Sequence, residues 1–313
     1  YDHEVGIRTV IKPGFDSSVL RLDNGKSLSV KIDGNPKHCY IDPRQGAIGC
    51  FEEACRNVVC TGATPIGMVD HLQFGNPEDP EIFWTFMESI EGITDFAKFL
   101  DIPCVGGKVS FYNETSDGPI KPTPLIGVLG LIEKSPLLPI RPSTNDVILL
   151  VGETKDELGG SEYYEYIHNF IGGVAPKVDF SESKKNMKSV LSLISKNLLK
   201  SVHDCSKGGL AIGISELCIF GKIGCNVYLP SSLSSEKILF SESHSRYILV
   251  VDKNNLDTIK SILSDDKCTF SEIGIFSGDQ IIFETGSDQI LKLRVDKAEN
   301  NYLNSLERII QNG

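Results

Sequence analysis

A proline-interrupted stretch between residues 133 and 143 limits the fold more than any other feature, because it splits the chain into two parts. Pro136, Pro139 and Pro142 break any regular hydrogen-bonding pattern there. The chain has 313 residues, which is enough for two ordinary domains. We therefore predict a linker over residues 1–14, a first domain over residues 15–135 and a second domain over residues 143–313.

The first part is typical of an α+β domain with helices on one face of a mixed sheet. The turn Asp23–Asn24–Gly25 indicates a hairpin. Gly62 indicates the end of one helix and Pro80 the start of the next. A loop is expected at residues 33–36. The predicted strands are 17–22, 27–33, 65–69, 102–105 and 125–132, and the predicted helices are 44–61 and 80–100.

The second part alternates apolar strands with helices, which is typical of an α/β domain. Its last helix places Leu303, Leu306 and Ile310 on one face. The predicted strands are 146–151, 202–204, 247–251 and 281–283, and helices are predicted to begin near Ser161, Lys184 and Leu210.

The charge and the cysteines exclude some classes of function. A net charge of -11 argues against non-specific binding of nucleic acid, which requires a basic face. Nine cysteines occur without a Cys-x-x-Cys pair, so we expect reduced thiols in a cytoplasmic protein rather than a zinc site. No apolar run has the length of a membrane span, and no signal peptide is recognisable. Because the first methionine is Met68, we expect a fragment of a longer protein.

The segment VGGKVSFYNE (105–114) suggests a ligand-binding loop. Gly106 and Gly107 follow a short apolar run, and Lys108 and Ser110 come directly after them. Adjacent glycines let amide N–H groups approach an anion without a Cβ in the way. A tight turn is the alternative, and the residues alone do not decide between the two.

Acidic side chains at predicted strand ends suggest a metal site. Asp33, Asp70 and Asp204 each end a strand, and Glu53 and Asn57 share one helix face. Mg²⁺ prefers hard oxygen ligands and usually bridges to nucleotide phosphates. The alternative is that these side chains are solvated carboxylates and helix caps. The spacing of the residues in the sequence, taken alone, favours this alternative over a metal site.

Familiar nucleotide and nucleophile motifs do not occur in the sequence. There is no GxGxxG, GxxxxGK[ST] or GxSxG. His203, Asp204 and Ser206 resemble a catalytic triad, but adjacent residues on a strand point to opposite faces. We reject the triad and expect any nucleotide to bind by another scheme.

Five motifs in a fixed order identify a related family. On these motifs the chain resembles phosphoribosylformylglycinamidine synthases of the small, multi-subunit type, within the AIR synthetase-related superfamily. The resemblance covers essentially the whole chain and implies the C-terminal half of the ligase subunit. The motifs are GMVDHLQFGNPE (67–78), VGGKVSFYNE (105–114), ELGGSEYY (157–164), HDCSKGGLA (203–211) and LFSESHSR (239–246).

The resemblance implies an AIR-synthetase-like half-molecule. Its N-terminal-type α+β domain would contribute strands to a barrel, and a C-terminal-type α/β domain would follow. In such proteins two N-terminal-type domains pack as a pseudo-dimer, and the active site lies in the cleft between the halves. Residues 1–14 would then be the linker from the N-terminal half. Without that half, we expect this chain to homodimerise through an apolar face.

The reaction implied by the resemblance is an ATP-dependent amidation in purine biosynthesis. ATP phosphorylates the amide oxygen of formylglycinamide ribonucleotide, and ammonia then displaces phosphate. A separate glutaminase subunit supplies the ammonia, and a small third subunit bridges the complex. The family's catalytic histidines lie in the other half, so we expect no catalytic residue in this chain and no activity from it alone.

The resemblance also implies roles for residues at two sites. Asp70 and Gly107 would contact ATP, and Ser110 would contact the substrate. Lys108 stands where many relatives have an Asn associated with metal. Because a lysine cannot ligate Mg²⁺, we expect a phosphate or carboxylate partner for Lys108.

The second implied site is an auxiliary nucleotide site, known from the large single-chain form, which takes ADP. Ser206 matches a nucleotide contact there. Lys207 replaces a common Asp and makes the local charge less negative. The matching Mg²⁺ ligands are Asp33, Glu53, Asn57 and Asp204.

Two other functions stay open from the sequence. One is another ATP-dependent enzyme of the superfamily that acts as a homodimer, which would require a glycine-rich loop ahead of residue 15. The other is a nucleotide-binding half that only scaffolds a complex. Substitutions at Asp70 and Ser110 separate a scaffold from a ligase, because a scaffold tolerates them.

Overall fold

A computed structural model of the chain describes residues 6–134, 136–137 and 141–312. The first five residues of the predicted linker, and Pro139 of the predicted boundary, lie outside these ranges. Within the described ranges, no helix combines the length and the apolar character needed to cross a membrane. The nine cysteines are free thiols, and eight of them are buried.

The first part of the chain folds into a six-stranded sheet with two long helices on one face, which confirms the predicted α+β domain. The sheet has the order β1-β2-β3-β8-β4-β5, antiparallel except for the parallel pair β4 and β5. The strands are β1 (Thr9–Ile11), β2 (Ser18–Arg21), β3 (Ser27–Asp33), β4 (Thr64–Gln73), β5 (Cys104–Ser110), the ribbon β6 (Glu114–Thr115) and β7 (Gly118–Pro119), and β8 (Thr123–Ile132). The helices are α1 (Pro36–Ile41), α2 (Pro43–Cys60) and α3 (Pro80–Leu100).

Local signals begin and end the two long helices. The side chain of Asp42 accepts a backbone N–H of the first turn of α2, and Pro43 occupies that turn. Gly62 follows the helix with a φ of 82°, a conformation that favours glycine. Asp79 caps α3 in the same way, and Pro80 opens it. The predicted extents of both helices are therefore confirmed to within one residue.

Three segments of this domain differ from the prediction. Thr9–Ile11 form β1 inside the predicted linker, because a strand of three residues is too short to show a period. Pro36–Ile41 form α1, a short helix that was not predicted and that begins at the last residue of the loop expected at 33–36. β4 continues past Asp70 to Gln73, because its pairing with β8 extends beyond the apolar run.

The predicted loop at Gly106–Gly107 is wrong. Both glycines lie inside β5, which pairs with β4 and forms an edge of the sheet. The strand that precedes them is not buried, since Val105 is 63% exposed. The sequence is misleading here because the apolar residues of β5 face solvent in this chain.

One face of this sheet is apolar and uncovered. The helices bury Met68 and Ile126 on the opposite face. A Cβ at Gly127 would contact both Ile32 and Val69, so these two side chains share the uncovered face. Large exposed apolar groups on a sheet are typical of an interaction surface.

The second part folds into a seven-stranded sheet with the order β10-β12-β9-β13-β11-β14-β15, which confirms the predicted α/β class. The prediction missed β11, β13, β15, α7 and α8, which are short or partly exposed. The strands are β9 (Val147–Val151), β10 (Ser201–Asp204), β11 (Cys225–Leu229), β12 (Tyr247–Val251), β13 (Phe270–Phe276), β14 (Gln280–Thr285) and β15 (Asp288–Arg294). The helices are α4 (Glu162–His168), α5 (Phe180–Ser195), α6 (Gly209–Gly221), α7 (Ser235–Phe240), α8 (Leu256–Asp265) and α9 (Val295–Asn312).

Both faces of the second sheet are covered at its centre. Leu149 and Leu249 pack into a core that is shared with the first domain. Ile148 and Ile248, which point the other way, pack into a separate core under α6. The shared core fixes the second domain against α2 and so positions β10 beside the first sheet.

Candidate functional site

Asp70 and Gly107 meet at the edge of the first sheet. They are register partners on the neighbouring strands β4 and β5. A Cβ atom at position 107 would lie 2.5 Å from Asp70 Oδ1, so glycine is needed to leave room for this carboxylate. The structure thus brings together the two residues predicted to contact ATP.

Lys108 and Ser110 project from the face of β5 opposite to Gly107, because side chains alternate along a strand. Asn113 Nδ2 donates to Ser110 Oγ at 3.2 Å and to the backbone oxygen of Phe74 at 2.9 Å, which fixes the serine. The side chain of Lys108 makes no hydrogen bond or ion pair within the described part of the chain. Its predicted phosphate or carboxylate partner therefore stays a prediction.

A groove of about 640 Å³ opens beside Asp70 on the helix-covered face. Cys104 lies at the groove, with its Sγ 3.6 Å from Asp70 Oδ2. Asp101 also lines the groove, and an apolar wall flanked by polar groups suits a flat ring that carries polar substituents. The apolar side chains of the wall are Leu72, Ile90, Ile93, Ala97 and Ile102.

A second polar group is buried between the two domains. Asn57 Nδ2 donates to Asp204 Oδ2 at 3.1 Å and to Asp33 Oδ2 at 3.3 Å. Strand β3, helix α2 and strand β10 each contribute one of these residues. The fold thus brings together three of the four residues predicted to bind Mg²⁺, although they are far apart in the sequence.

Glu53 is the fourth residue predicted to bind Mg²⁺, and together with Asp33 and Asp204 it forms what we define as the carboxylate cluster. Its residue is only 8% exposed, yet its side chain makes no hydrogen bond or ion pair with any described residue. Burial and Asp204 raise the pKa of Glu53, and burial and Glu53 raise the pKa of Asp33 to about 8. Within the described ranges, Glu53 therefore has no cation in direct contact with its carboxylate, and burial disfavours its charged form.

Arg56 is fully buried beside the carboxylate cluster and joins two acidic groups. Its guanidinium contacts the carboxylates of Asp204 and Glu52. Burial opposes ionisation, but Arg56 still holds the pKa of Asp204 and of Glu52 below the usual values. The sequence analysis missed Arg56 because an arginine within a helix is most often exposed.

Two lysines also contact the surroundings of the carboxylate cluster. Lys31 Nζ lies 3.7 Å from Asp33 Oδ1 and donates to Asn57 Oδ1 at 3.3 Å. Lys207 Nζ donates to the backbone oxygen of Gly34 at 3.0 Å. Burial disfavours the charged form of Lys31, but Asp33 and other nearby carboxylates outweigh it and raise the pKa of Lys31. Lys31 therefore remains a cation.

The donor chemistry of this group fits Mg²⁺, but the present arrangement does not coordinate one. Carboxylate and amide oxygens are hard ligands, and the buried Glu53 side chain makes no hydrogen bond or ion pair with any described residue. Asn57, however, turns its nitrogen toward the carboxylates and its oxygen toward Lys31. Across the described residues, no three His, Cys, Asp or Glu side chains are close enough to hold a metal ion.

A cavity of about 470 Å³ adjoins the carboxylate cluster. Lys31, Ser206 and Lys207 line it near the carboxylates. Phe15 and Phe220 also line it, with their ring centroids 5.1 Å apart. Cations and a hydroxyl suit an anionic group, and aromatic rings suit a planar one.

Both ring nitrogens of His203 contact carboxylates that are not part of the rejected triad. Its Nδ1 lies 2.9 Å from Asp16 Oδ1, and its Nε2 lies 3.0 Å from Glu216 Oε2. Burial opposes protonation, but Asp16 and Glu216 raise the pKa of His203 well above its usual value. The imidazole is therefore a charged structural link and not a general base for Ser206.

The two groups lie in one row across the first sheet. Asp33 and Asp70 are both register partners of Ile126 on the intervening strand β8, and Gly107 pairs with Asp70. Two strand spacings separate Asp33 from Asp70, which is roughly 10 Å. Asp33 is covered by α2 and the second domain, whereas Asp70 lies next to the uncovered edge.

Comparisons with known proteins agree with this architecture. The AIR synthase related protein N-terminal domain matches residues 14–132, and the C-terminal domain matches residues 143–285. The chain is 40% identical over 310 residues to the phosphoribosylformylglycinamidine synthase subunit PurL of Pyrococcus horikoshii, covering 99% of this chain and 43% of that protein. It is 38% identical over 315 residues to PurL of Alkaliphilus metalliredigens, covering 99% and 42%. The chain thus spans less than half the length of these relatives.

Solved structures share the fold at low sequence identity. PurL of T. maritima complexed with FGAR superposes with a TM-score of 0.77 and 19% identity, over 90% of this chain and 47% of that one. A chain of a HypE–HypF complex superposes with a TM-score of 0.67 and 13% identity, over 90% and 93%. With both of its domain models matched, the chain belongs to the AIR synthase related family.

Proposed function

We propose that the chain is the C-terminal half of a phosphoribosylformylglycinamidine synthase subunit, an ATP-dependent C–N ligase of purine biosynthesis. The observation that carries this proposal is 40% identity to a PurL subunit along 99% of the chain. Structures of T. maritima PurL with FGAR, with ATP and with ADP support the same ligands here. A cytoplasmic location stays a prediction.

The uncovered edge of the first sheet supports a function that needs a second half. Among the described residues, no strand pairs with the outer side of β5, and the adjoining face exposes Ile32 and Val105. Such an edge and face are prone to aggregate unless another protein surface covers them. The homologous half would cover both and would bring its catalytic histidines to Asp70 and Gly107. In its absence, a second copy of this chain would pair there.

At this edge we assign ATP to Asp70 and Gly107 and formylglycinamide ribonucleotide to Ser110. An amide oxygen is a poor leaving group, so ATP first phosphorylates it and ammonia then displaces phosphate. The protein contributes by holding the reacting groups in line and by stabilising developing charge. Lys108 has no ion pair within the described residues and so is available to hold a phosphate.

We further propose that the cavity beside the carboxylate cluster takes an auxiliary nucleotide such as ADP, with Ser206 in contact. Mg²⁺ would supply neutralisation of the phosphate charge when bound. A turn of the Asn57 amide would present its oxygen for this purpose. The proposed ligands are Asp33, Glu53, Asn57 and Asp204. A glutaminase subunit and a small bridging subunit are the proposed partners, in line with the PurLQS structure of T. maritima.

The test is formation of the amidine product from ATP, formylglycinamide ribonucleotide and ammonium chloride. The chain is assayed alone and after mixing with the separately produced N-terminal half. We expect no turnover by the chain alone and turnover by the mixture, because each half supplies part of the active site. If the two halves form a complex on gel filtration but the mixture forms no amidine, the proposed ligase activity would be contradicted.

Variants assayed in the same mixture separate a ligase from a scaffold. Asp70→Asn and Ser110→Ala are expected to lower the rate by about a hundredfold, the size of a lost transition-state contact. Lys188→Gln on the exposed side of α5 is the control and should leave the rate unchanged. Full activity of both edge variants would favour the nucleotide-binding scaffold.

A further inference from the structure

The carboxylate cluster already has cations of its own where a metal ion would bind. Lys31 Nζ lies 3.7 Å from Asp33 Oδ1 and donates to Asn57 Oδ1 at 3.3 Å. That oxygen is the one atom of the Asn57 side chain that can ligate a metal, since an amide nitrogen carries no available lone pair. Lys31 therefore contacts two of the four proposed ligands at once.

Lys207 lies at the solvent-exposed side of the same carboxylate cluster. It donates to the backbone oxygen of Gly34 at 3.0 Å, which places its charge beside Asp33. Lys31 and Lys207 both line the adjoining cavity. Glu53 remains without a partner despite these cations, so the cluster retains an affinity for further positive charge.

We propose that Lys31 and Lys207 are resident counter-ions of the carboxylate cluster and compete with a divalent cation for it. This inference rests on the proposed metal role of Asp33, Glu53, Asn57 and Asp204. A divalent cation there must release the Asn57 oxygen from Lys31 and must tolerate a like charge only a few ångströms away. Like charges at that distance repel strongly in a buried site.

The cavity gives the displaced ammonium group a place to go. Because Lys31 lines it, its side chain can turn from Asp33 toward a bound phosphate, whose oxygens accept its protons. Metal and phosphate should therefore enter together, each improving the binding of the other. Without ligand, the lysines neutralise the carboxylates of such a site. The site then binds a divalent cation mainly as a complex with its nucleotide.

The test is direct Mn²⁺ binding to the chain, measured by electron paramagnetic resonance, with and without ADP. Lys31→Gln is expected to bind Mn²⁺ about tenfold more tightly than the unmodified chain, and Lys207→Gln about threefold, because Lys207 lies at the rim. Lys31→Arg keeps the charge and should bind as weakly as the unmodified chain. Lys188→Gln removes the same charge from the exposed side of α5 and should leave the Mn²⁺ affinity unchanged.

The outcomes distinguish this inference from the proposed metal site. Equal Mn²⁺ affinity in Lys31→Gln, Lys207→Gln and the unmodified chain would be consistent with the proposed metal site. It would overturn the proposed competition between the lysines and the metal ion. Weaker binding in the glutamine variants would overturn it as well. Failure of every protein to bind Mn²⁺ would overturn both ideas. If Lys31→Gln does not fold, as judged by circular dichroism, the exposed Lys207→Gln variant decides.

Discussion

The edge site and the carboxylate cluster use similar residues in opposite surroundings. Asp70 lies on β4, next to the edge strand β5, and borders an open groove. Asp33 and Asp204 lie under α2, between two domains, with Arg56 and Lys31 beside them. The buried group finds its counter-charges within this chain, whereas the edge group leaves one side of β5 open.

This difference separates residues that hold the fold from residues that hold a ligand. A buried carboxylate that loses its cation keeps the full penalty of desolvation. An exposed carboxylate that loses a contact is simply hydrated. Changes in the buried region should therefore lower the free energy of unfolding, and changes at the edge should weaken binding while the fold is retained.

The largest effect is expected from Arg56→Met. The change leaves Asp204 and Glu52 buried without their shared cation, so the free energy of unfolding should fall by about 3–5 kcal/mol. Arg44→Met is the matched control, because Arg44 pairs with acidic groups on the surface and should cost less than about 1 kcal/mol. Urea unfolding measures both. Similar losses in the two variants would contradict the distinction between buried and exposed pairs.

The next effect concerns Glu242, which is buried near the interface of the two domains. Burial raises the pKa of Glu242 to about 7, although the Gly208 and Glu162 amides oppose this. Burial also lowers the pKa of His38 to about 3, so its contact with Glu242 at 3.5 Å is not an ion pair near neutral pH. The folded chain thus binds a proton at Glu242 that the unfolded chain releases.

Because the folded-state pKa is raised, the stabilisation is present below the unfolded pKa and is lost as the pH rises through about 7. We expect the loss to be on the order of 2–3 kcal/mol, and Glu242→Gln should remove that part of the slope. Chemical unfolding from pH 4 to 8 measures it. Glu81→Gln, at the exposed start of α3, is the control and should leave the slope as it is. An unchanged slope in Glu242→Gln would refute the assignment.

A third effect tests the uncovered face of the first sheet. Val105→Glu places a charge on that face and should weaken pairing with the other half, or with a second copy, by at least about tenfold. The unfolding free energy should change by less than about 1 kcal/mol, because the side chain is exposed. Analytical ultracentrifugation measures the pairing. Tyr228→Glu, at an exposed position of β11, is the control, and equal weakening by both variants would point to a different interface.

The smallest effect is expected from Gly107→Ala. The added Cβ would lie 2.5 Å from Asp70 Oδ1 and would push the carboxylate aside. In the reconstituted enzyme, ATP affinity should fall several-fold to about tenfold, which corresponds to roughly 1 kcal/mol. Gly106→Ala is the control, since the nearest atom to its Cβ would be 3.9 Å away. Isothermal titration with ATP measures both, and an equal loss in the two variants would remove the special role of position 107.

The sequence predicted the elements that have strong local signals. The hairpin at Asp23–Gly25 and the long helices α2 and α3 were readable because turn residues, caps and apolar periods are local. The loop predicted at Gly106–Gly107 was wrong, because a glycine pair is as compatible with an edge strand such as β5 as with a loop. Strands such as β13 were missed because their burial depends on neighbours that are remote in the sequence.

The sequence predicted which residues form the candidate sites, but not how these residues are arranged in space. The family resemblance implied Asp33, Glu53, Asn57 and Asp204 as a group, and the structure places Asn57 in contact with Asp33 and Asp204. Arg56 and Lys31 were not found, because a lone cation in a helix or strand normally indicates a solvated face. Their roles follow from burial by the second domain.

The sequence by itself determined the α+β class of the first part, the α/β class of the second part, and the acidic and glycine positions from which both candidate sites are built. These features rest on interactions between residues that are close in the chain. The tertiary structure alone decided that Asp33 and Asp70 share one row of the sheet and that one is buried while the other faces an open edge. Burial is a property of the whole packed molecule, and it sets how strongly each charge needs a partner.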